Sequence, residues 1–405
     1  MPIRRQLPRP RELAPLVRVR PPRLDATRRR LESAFTIADL RTIARRRVPR
    51  AVFDYVDGAA EQEISLRRAR EAYARVEFSP RILRDVGSVD TATTVLGGPA
   101  AMPLILAPTG FTRMMHHEGE RAVARAAEAA SLPYALSTMG TTAVEDLAAE
   151  APLGRHWFQL YLWRDRDAST DLVERARKAG YDTLVLTVDT PVAGARLRDS
   201  HNGLTIPPSL TARTLADMAR HPVWWANLLT TEPLQFASLN SWSGTVAELV
   251  GHMFDPTAVA ADLSWLRDQW PGHLVVKGIQ HVDDARAVVD LGADGVVVSN
   301  HGGRQLDRAP TPLELLPDVA AAVGGRTEVF VDTGITTGAD LVAARALGAR
   351  AALVGRAYLY GLMAGGEAGV SRALEILRAE AVRTLQLMGV ERVDDLDASH
   401  AKLRM

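Results

Sequence analysis

Eight short apolar runs recur along the chain, and amphipathic segments separate them. The runs lie at residues 103–109, 134–138, 156–162, 183–189, 273–279, 295–300, 328–334 and 351–356. The stretches between them show helical periodicity, as in EGERAVARAAEAA and VDDARAVVDLG. Strands that are apolar on both faces and alternate with helices are typical of a parallel sheet. Eight such units favour closure, so we predict an α/β fold, a (β/α)₈ TIM barrel, rather than an open sheet.

The N-terminal region departs from this rhythm. Residues 1–34 are rich in arginine and proline and show no clear period, which predicts an arm ahead of a barrel domain at 35–405. The barrel domain opens with a helical extension, because Thr36 is followed three positions later by Asp39, as at a capped helix start.

A second departure follows the fourth apolar run. The fifth run comes much later than the rhythm requires, which predicts an insertion at about 190–272 that forms a lid or a subdomain. The insertion contains adjacent Trp224 and Trp225. Such aromatic residues either pack on the barrel or form a surface that contacts a membrane or another subunit.

The composition limits the cellular compartments and the binding partners that we expect for this chain. The absence of cysteine excludes disulfides, thiolate metal sites and cysteine nucleophiles, and it fits a reducing cytoplasm. A net charge of +1 gives no reason to expect nucleic acid as a partner. No apolar run approaches the roughly 18 residues that span a bilayer, and no apolar core follows the first arginines, as a secretory signal would require. We expect a cytoplasmic protein whose arm is a solvated tail or, alternatively, contacts the inner face of the membrane.

Polar and glycine residues collect at the carboxyl ends of the predicted strands. Polar groups are costly to bury unless they are paired or used, and barrel active sites lie at this end of the strands. The sequence therefore predicts one site built by Pro108, Thr109, Gly110, Ser137, Gln159, Tyr161, Thr187, Asp189, Lys277, Ser299, His301, Asp332, Gly334, Gly355 and Arg356.

The residue types suggest a flat, phosphorylated cofactor. Threonine, glutamine and serine suit the edge of a heteroaromatic ring, and Lys277 would hold a positive charge beside it. The glycine-containing ends of strands seven and eight suit a phosphate bound by backbone N–H groups, with charge added by Arg356. A flavin mononucleotide is one cofactor of this kind, and no metal site is predicted.

The stretch SNHGGRQ adds acid–base chemistry to the same end of the barrel. His301 can act as a base, and Asp189 is a candidate to orient it and to stabilise its protonated form. The two glycines that follow allow a tight turn, which brings Arg304 to the same cavity. Arg304 and Arg196 could then bind a carboxylate through forked hydrogen bonds.

These motifs resemble the family of FMN-dependent α-hydroxy acid dehydrogenases and oxidases. The resemblance covers residues 36–400 and rests on SNHGGRQLD together with FDYVDGAAE, LAPTG, FQLYLWRDR, TVDTPVAGARLRD, VVKGIQ and AYLYGLMAGGEAG. The pattern is closest to the actinobacterial L-lactate dehydrogenases. The resemblance implies oxidation of an L-2-hydroxy acid, with L-lactate the first candidate, electron transfer to a quinone or other carrier, and a homotetramer.

The resemblance also implies a role for each matching residue. His301 takes a proton from the substrate, Asp189 pairs with it, and Tyr161 hydrogen-bonds the substrate oxygen. Lys277 stabilises the reduced, anionic flavin. The substrate carboxylate and side chain are bound by Tyr55, Arg196, Arg304 and Met139. The cofactor is bound by Pro108, Thr109, Gly110, Ser137, Gln159, Thr187, Lys277, Ser299, Asp332, Gly334, Gly355 and Arg356.

Three positions depart from the family pattern. Thr336 stands where an arginine normally reaches the flavin phosphate, so cofactor affinity would depend more on Arg356 and backbone amides. Met139 replaces a tryptophan of glycolate oxidase, and Gly110 replaces an alanine common in oxidases, a trait of the dehydrogenases. Two alternatives stay open at this point: a hydroxy acid oxidase that produces hydrogen peroxide, and a flavin-binding scaffold without catalysis.

Overall fold

The structure, a computed structural model, describes residues 9–13, 25–203, 216–217, 219–234, 236–237 and 254–404. Eight parallel strands form a closed barrel in which the order of the strands follows the chain. The predicted TIM barrel is confirmed. The strands are β1 (Val76–Phe78), β2 (Thr93–Val95), β3 (Gly98–Ala100), β4 (Leu104–Leu106), β5 (Tyr134–Ser137), β6 (His156–Tyr161), β7 (Thr183–Thr187), β8 (His273–Ile279), β9 (Gly295–Val298), β10 (Glu328–Val331), β11 (Ala351–Val354) and β12 (Ala401–Leu403), and β4 to β11 make the barrel.

Helices cover the outside of the barrel. They are α1 (Pro10–Leu13), α2 (Ala26–Glu32), α3 (Ile37–Arg47), α4 (Arg50–Asp57), α5 (Ile64–Ala74), α6 (Thr112–Met115), α7 (Gly119–Ala129), α8 (Val144–Glu150), α9 (Arg166–Lys178), α10 (Leu197–Asn202), α11 (Pro222–Thr230), α12 (Ala260–Gln269), α13 (Val282–Asp290), α14 (Pro312–Val323), α15 (Gly338–Ala346) and α16 (Arg356–Met388). Among the described residues, no helix is both long enough and apolar enough to cross a bilayer.

Alternation along the strands separates two cores. One cluster of buried side chains fills the barrel interior: Val95, Leu96, Ala100, Ile105, Ala107, Ala135, Trp157, Val185, Val275, Val297, Phe330, Ala351 and Leu353. The alternate residues of the strands face outward and join the larger core under the helices. The β2–β3 hairpin packs against the amino end of the barrel, where the Leu96 N–H donates to Glu328 at the start of β10 at 2.9 Å and where Val95, Leu96 and Ala100 join the interior cluster.

Most strands end earlier than the apolar runs predicted. β10 ends at Val331 and β11 at Val354, whereas the predicted strands ran to 334 and 356. Single ladder-like hydrogen bonds continue past some ends, as from Val188 N to the Lys277 carbonyl at 2.9 Å. Five site residues, Ser137, Gln159, Tyr161, Thr187 and Lys277, lie in the carboxyl halves of their strands, and the remaining strand-end residues of the predicted site lie just beyond the strands.

The described part of residues 1–34 contains two helices, α1 and α2, that the sequence analysis did not predict. Asp25 caps α2 by accepting from the backbone N–H groups of Thr27 and Arg28, each at 2.9 Å, and Leu31 is buried next to Gly365 of α16. The predicted start of α3 is confirmed, since Thr36 and Asp39 form a capping box. The division between arm and barrel domain at residue 34 stays a prediction, and residues 1–8 and 14–24 of the arm lie outside the described part.

The described ends of the long insertion pack on the barrel. The Trp224 indole donates to the Met114 carbonyl at 3.0 Å, and Trp225 is buried beside it. Phe236 packs edge-on against Phe111 with ring centroids 4.2 Å apart. The structure thus supports the packing interpretation for these aromatic residues, and the insertion's residues 204–215, 218, 235 and 238–253 lie outside the described part.

Candidate functional site

Strand register brings the predicted polar residues together. Ser137 pairs with Gln159 across β5 and β6, and Thr187 pairs with both Tyr161 and Lys277 across the next two ladders. Each of these residues lies two or four positions beyond an interior core residue, so its side chain has the same inward direction. The barrel therefore presents them as one ring at its carboxyl end.

A left-handed turn carries the histidine. His301, Gly302 and Gly303 have φ angles of 59°, 68° and 73°, a conformation that glycine adopts freely and histidine adopts at a cost. Side chains hold this turn: the His301 N–H donates to Ser299 Oγ at 3.0 Å, and the Gly302 N–H donates to Thr333 Oγ1 at 3.0 Å. The rigid turn fixes the imidazole over the end of the barrel.

His301 is paired with Asp189. Their Nδ1 and Oδ1 atoms are 3.0 Å apart. Burial raises the pKa of Asp189, but the positive charges of His301 and Lys277 and the hydrogen bond from His301 outweigh it, and the net pKa is lowered. The ionised carboxylate only accepts, so Nδ1 carries the proton and Nε2 is the basic nitrogen. Burial lowers the pKa of His301 below its ordinary value of 6.5 despite the opposing charge of Asp189, which keeps the imidazole neutral at pH 7.

Two further residues fix the position of Asp189, and the sequence analysis missed both. Gly278 has a φ of 113°, and a Cβ there would lie 2.8 Å from the Asp189 Cβ, so only glycine allows this approach. The Gln305 amide donates to the carbonyls of Asp189 and Val192 at 3.1 and 2.8 Å. Gln305 stands directly after Arg304 in the SNHGGRQLD motif, which was the available signal.

Lys277 is a buried cation with two partners. Its Nζ donates to Ser299 Oγ at 3.0 Å and lies 3.1 Å from Asp332 Oδ2. Burial lowers the pKa of Lys277, but the negative charges of Asp332 and Asp189 outweigh it, and the net pKa is raised. The side chain is only 4% exposed, so a permanent positive charge lies inside the end of the barrel.

Three residues form the predicted carboxylate-binding cluster. The guanidinium groups of Arg304 and Arg196 lie 4.9 and 5.8 Å from the centre of the Tyr55 ring. Burial and the neighbouring charge of Arg196 lower the pKa of Arg304 to about 9. Nε of Arg196 is buried and has no hydrogen-bond partner in the described part of the chain. Asp199 interacts with both guanidinium groups, but burial raises the pKa of this acid, so an anionic ligand would be stabilised beside the two arginines.

Arg304 and Arg356 share a second task. Arg304 donates to the carbonyls of Tyr55 and Gly58 at 2.5 and 3.1 Å, and Arg356 donates to those of Val56 and Gly58 at 2.9 and 2.7 Å. Both arginines therefore cap the C-terminal end of α4, where unpaired carbonyls and the helix dipole favour cations. The predicted phosphate contact of Arg356 stays a prediction, because these bonds already use two of its nitrogen atoms.

The loop after β10 is tied to α5. Gly334 has a φ of 91°, and a Cβ there would lie 2.9 Å from the Ala69 carbonyl oxygen. Arg70 of α5 donates to the Gly334 carbonyl and, at 3.0 Å, to Asp340 Oδ2, which also accepts the Thr336 N–H at 2.8 Å. A helix outside the barrel thus holds the loop in which threonine replaces the family's arginine.

The ring-facing residues contain unused hydrogen-bonding capacity. Ser137 Oγ donates to Gln159 Oε1 at 2.9 Å, while Gln159 Nε2 is buried without a partner among the described residues. A Cβ on Gly110 would lie 2.7 Å from that of Met139, so these two residues are in close contact. Thr109 shares a hydrogen bond of 2.5 Å with Tyr358. Of the other predicted cofactor residues, Pro108 is partly buried and Gly355 precedes α16.

Tyr161 lies beside these groups. Burial is the main cause that raises the pKa of Tyr161, and the charge of Asp189 is the second. The Tyr161 hydroxyl also interacts electrostatically with Arg196, Tyr55 and Arg304. The phenol therefore stays protonated and able to donate a hydrogen bond. Tyr161 therefore interacts with Asp189, the partner of His301, and with the arginine cluster predicted to bind a carboxylate. The structure brings the predicted base, the carboxylate-binding cluster and Tyr161 together.

Asp57 is a structural hub that the sequence analysis missed. Its buried carboxylate accepts from Arg41 at 2.5 and 2.9 Å, from Arg198 at 3.1 Å and from Tyr360 at 2.8 Å. It therefore joins α4 to α3, α10 and α16, and α10 follows directly after Arg196. An acid in the last turn of a helix opposes the dipole, which was the available signal for an external cationic partner.

Comparison with known proteins identifies the family. A family model described as FMN-dependent dehydrogenase matches residues 44–403. The chain belongs to this family. The "Putative L-lactate dehydrogenase" of Mycobacterium tuberculosis is 60% identical over 400 residues, which cover 99% of this chain and 97% of that protein. The L-lactate dehydrogenase of Caulobacter vibrioides is 44% identical over 366 residues, which cover 89% and 95%.

Solved structures agree with this assignment. A crystal structure of the monotopic membrane protein (S)-mandelate dehydrogenase has a TM-score of 0.89 and 39% identity, covering 92% of this chain and 100% of that one. A mandelate oxidase variant with (S)-mandelic acid has a TM-score of 0.79 and 39% identity, with the same coverage. The family resemblance derived from the sequence is confirmed, and FMN is the cofactor of this FMN-dependent dehydrogenase.

The residues present fit FMN. The unpartnered amide nitrogen of Gln159 can donate to a flavin ring oxygen, and the buried charge of Lys277 suits a ring edge that becomes negative on reduction. The loops that contain Gly334 and Gly355 supply backbone N–H groups of the kind that bind phosphate in barrels. The individual contacts of each cofactor residue stay predictions.

Proposed function

We propose that this FMN-dependent dehydrogenase oxidises an L-2-hydroxy acid to the 2-oxo acid and that L-lactate is the first candidate substrate. The observation that carries the proposal is the pairing of a neutral His301 with an ionised Asp189 beside the Arg304, Arg196 and Tyr55 cluster. A basic nitrogen and a carboxylate clamp in one cavity are the requirements for activating a 2-hydroxy acid. The lactate dehydrogenases among the relatives support the choice of substrate.

Each protein group has a defined part in the reaction. Arg304 and Arg196 bind the substrate carboxylate and orient the hydroxyl-bearing carbon. Tyr161 donates a hydrogen bond to the substrate oxygen, and His301 Nε2 accepts the substrate proton. Asp189 stabilises the resulting imidazolium as its counter-ion. The bound FMN supplies the two-electron oxidation.

The proposal for the electron acceptor is a quinone or another carrier rather than oxygen. Gly110 supports it, since this residue is a trait of the dehydrogenases in the family resemblance, and a Cβ there would need Met139 to move. A peroxide-producing oxidase is the second candidate. Reduced enzyme that reacts quickly with quinones and slowly with air supports the dehydrogenase, whereas rapid release of peroxide in air supports the oxidase.

Location and assembly are also proposals. The cationic arm and the exposed Val223 and Leu229 of α11 support a peripheral contact of a cytoplasmic enzyme with the inner face of the membrane. The homotetramer rests on the family resemblance alone. Co-sedimentation with anionic vesicles would test the first, and light scattering of the holoenzyme would test the second.

The direct test is an anaerobic titration of the purified holoenzyme with L-lactate. We expect the visible flavin band to bleach, because the clamp, the base and the cofactor would then act together. A yellow protein that ignores L-lactate but bleaches with a larger 2-hydroxy acid would overturn the choice of substrate. A yellow protein that bleaches with none of them would support the scaffold alternative.

The pH profile should report the His301–Asp189 pair. Because the pKa of His301 is lowered, we expect kcat/KM to stay high below pH 6.5 and to fall only as the imidazole takes up a proton. Asp189 raises the pKa of His301, so Asp189→Asn should move this acid limb to still lower pH while lowering the plateau. A limb at or above pH 6.5 in the parent enzyme would contradict the lowered pKa of His301.

A further inference from the structure

The long insertion returns to the barrel next to Tyr161. Phe254 packs edge-on against the Tyr161 ring, with centroids 5.4 Å apart and an interplanar angle of 82°. The two side chains are only 9% and 8% exposed. An aromatic residue from outside the barrel repeat therefore packs directly against the Tyr161 ring of the proposed site.

Ion pairs hold Phe254 in this place. The neighbouring Asp255 carboxylate lies 2.9 Å from the Arg166 guanidinium at the start of α9, and Arg166 also lies 2.9 Å from Asp262 of α12. Asp255 accepts hydrogen bonds from the Thr257 N–H and hydroxyl at 2.9 and 2.6 Å. Because Arg166 ties the Asp255 loop to helices α9 and α12, the neighbouring Phe254 ring is held in place.

The charged groups define which side of Tyr161 remains for the substrate side chain. The Tyr161 hydroxyl interacts electrostatically with Asp189, the partner of His301, and with the Arg196, Arg304 and Tyr55 cluster, so these groups lie near the hydroxyl end of the ring. Phe254 packs against the ring and contributes no charge there. The part of the substrate that is neither carboxylate nor hydroxyl would then extend toward an apolar aromatic wall.

We propose that Phe254 is a specificity-determining residue that limits the substrate side chain to a small group such as methyl. The inference rests on the proposed function and deepens it, because the solved neighbours named for mandelate show that this fold also accepts a phenyl side chain. A fixed ring beside Tyr161 excludes a large substrate side chain by steric overlap. A hydrophobic pocket rejects a side chain that is too large more strongly than one that is too small.

Phe236 provides a matched control within the same insertion. It is buried like Phe254 and packs edge-on against an aromatic ring, but its partner is Phe111 of the loop after β4 rather than Tyr161. Its neighbour Ala237 also donates to the Gly140 carbonyl at 3.1 Å. Phe236→Ala therefore removes a second buried aromatic contact of the insertion but leaves the ring that packs on Tyr161 in place.

The experiment compares Phe254→Ala and Phe236→Ala in the FMN-loaded full chain. One readout is the ratio of kcat/KM for (S)-mandelate to that for L-lactate. The other is calorimetric binding of phenylglyoxylate relative to pyruvate, which needs no turnover. We expect Phe254→Ala to raise both ratios by at least about tenfold, the effect of even a small change in pocket volume, and Phe236→Ala to leave both ratios as in the parent enzyme.

Other outcomes decide against the inference. Unchanged ratios in Phe254→Ala, or an equal rise of the ratios in Phe236→Ala, would overturn the inference. In either case the Phe254 ring beside Tyr161 would not control which substrate side chain is accepted. If Phe254→Ala does not fold, Phe254→Leu gives a smaller opening and the same readouts. If the parent enzyme oxidises no 2-hydroxy acid, the proposed function fails, and the calorimetric ratio still decides whether Phe254 restricts the cavity.

Discussion

His301→Gln is expected to leave FMN bound and to lower the rate of lactate-dependent flavin reduction by about 10²- to 10⁴-fold. Glutamine approximates the size of the imidazole and can still hydrogen-bond Asp189, but it has no basic nitrogen to accept the substrate proton. The turn around it is held by Ser299 and Thr333, so the cofactor end of the barrel should keep its shape. Stopped-flow absorbance under anaerobic conditions measures the rate, and the flavin-to-protein absorbance ratio measures cofactor content.

A second histidine supplies the control for this change. His281 caps α13 at the surface, where its side chain is 68% exposed. His281→Gln should therefore leave the reduction rate within twofold or so of the parent value, as is usual for surface changes. Near-normal turnover in His301→Gln would remove His301 as the base, and loss of flavin in the same variant would show a structural rather than a chemical defect.

Lys277→Met is expected to have the largest effect on stability. The change removes the cation from a buried pair and leaves Asp332 charged without its counter-ion, a change that typically costs about 3–5 kcal/mol of unfolding free energy. Ser299 and Thr333 still donate to the Asp332 carboxylate at 2.8 Å, which limits the loss. Flavin reduction should also slow, because the positive charge beside the ring edge is gone. Denaturant unfolding of the FMN-free and FMN-saturated forms measures the first effect.

Two controls separate charge from packing. Lys277→Met with Asp332→Asn removes both charges and should recover part of the unfolding free energy, but not the activity. Lys402→Met breaks a surface pair in which the Lys402 and Glu77 side chains are 65% and 34% exposed, so the midpoint denaturant concentration should stay close to that of the parent. If the Lys277→Met variant had the same midpoint denaturant concentration as the parent, Lys277 and Asp332 would not be a coupled buried pair.

Lys277→Met should also change the acidity of the base. Lys277 lowers the pKa of His301, so its removal should move the acid limb of kcat/KM toward higher pH. This direction is opposite to that expected for Asp189→Asn. The two shifts together would show that His301 titrates between a positive and a negative neighbour.

Much of the site was predictable from local pattern. The period of two along a strand places a residue such as Lys277 two positions beyond the interior Val275, and Ser299 two beyond Val297. A polar residue that continues an inward-facing apolar series must lie at the barrel opening. The same reasoning could not place the ends of the strands, because the point at which a chain leaves the ladder depends on the neighbouring strands.

Contacts between distant segments were not predictable in this way. The Asp57 carboxylate is satisfied by residues 16, 141 and 303 positions away, and Phe254 meets a ring on another strand. Helix α2 was missed because its seven residues contain one buried apolar side chain and thus too little amphipathic pattern. None of these features repeats along the sequence, so periodicity contained no signal for them.

The sequence by itself determined the barrel, the end at which its chemistry lies and the residue types that suit FMN and a carboxylate. These follow from hydrophobic periodicity and from the cost of burying unused polar groups, which act over a few residues. Only the tertiary structure decided the protonated nitrogen of His301, the use of Arg304 and Arg356 to cap α4, and the placement of Phe254 on Tyr161. Those depend on burial, charge and contact between segments far apart in the chain, and folding alone brings them together.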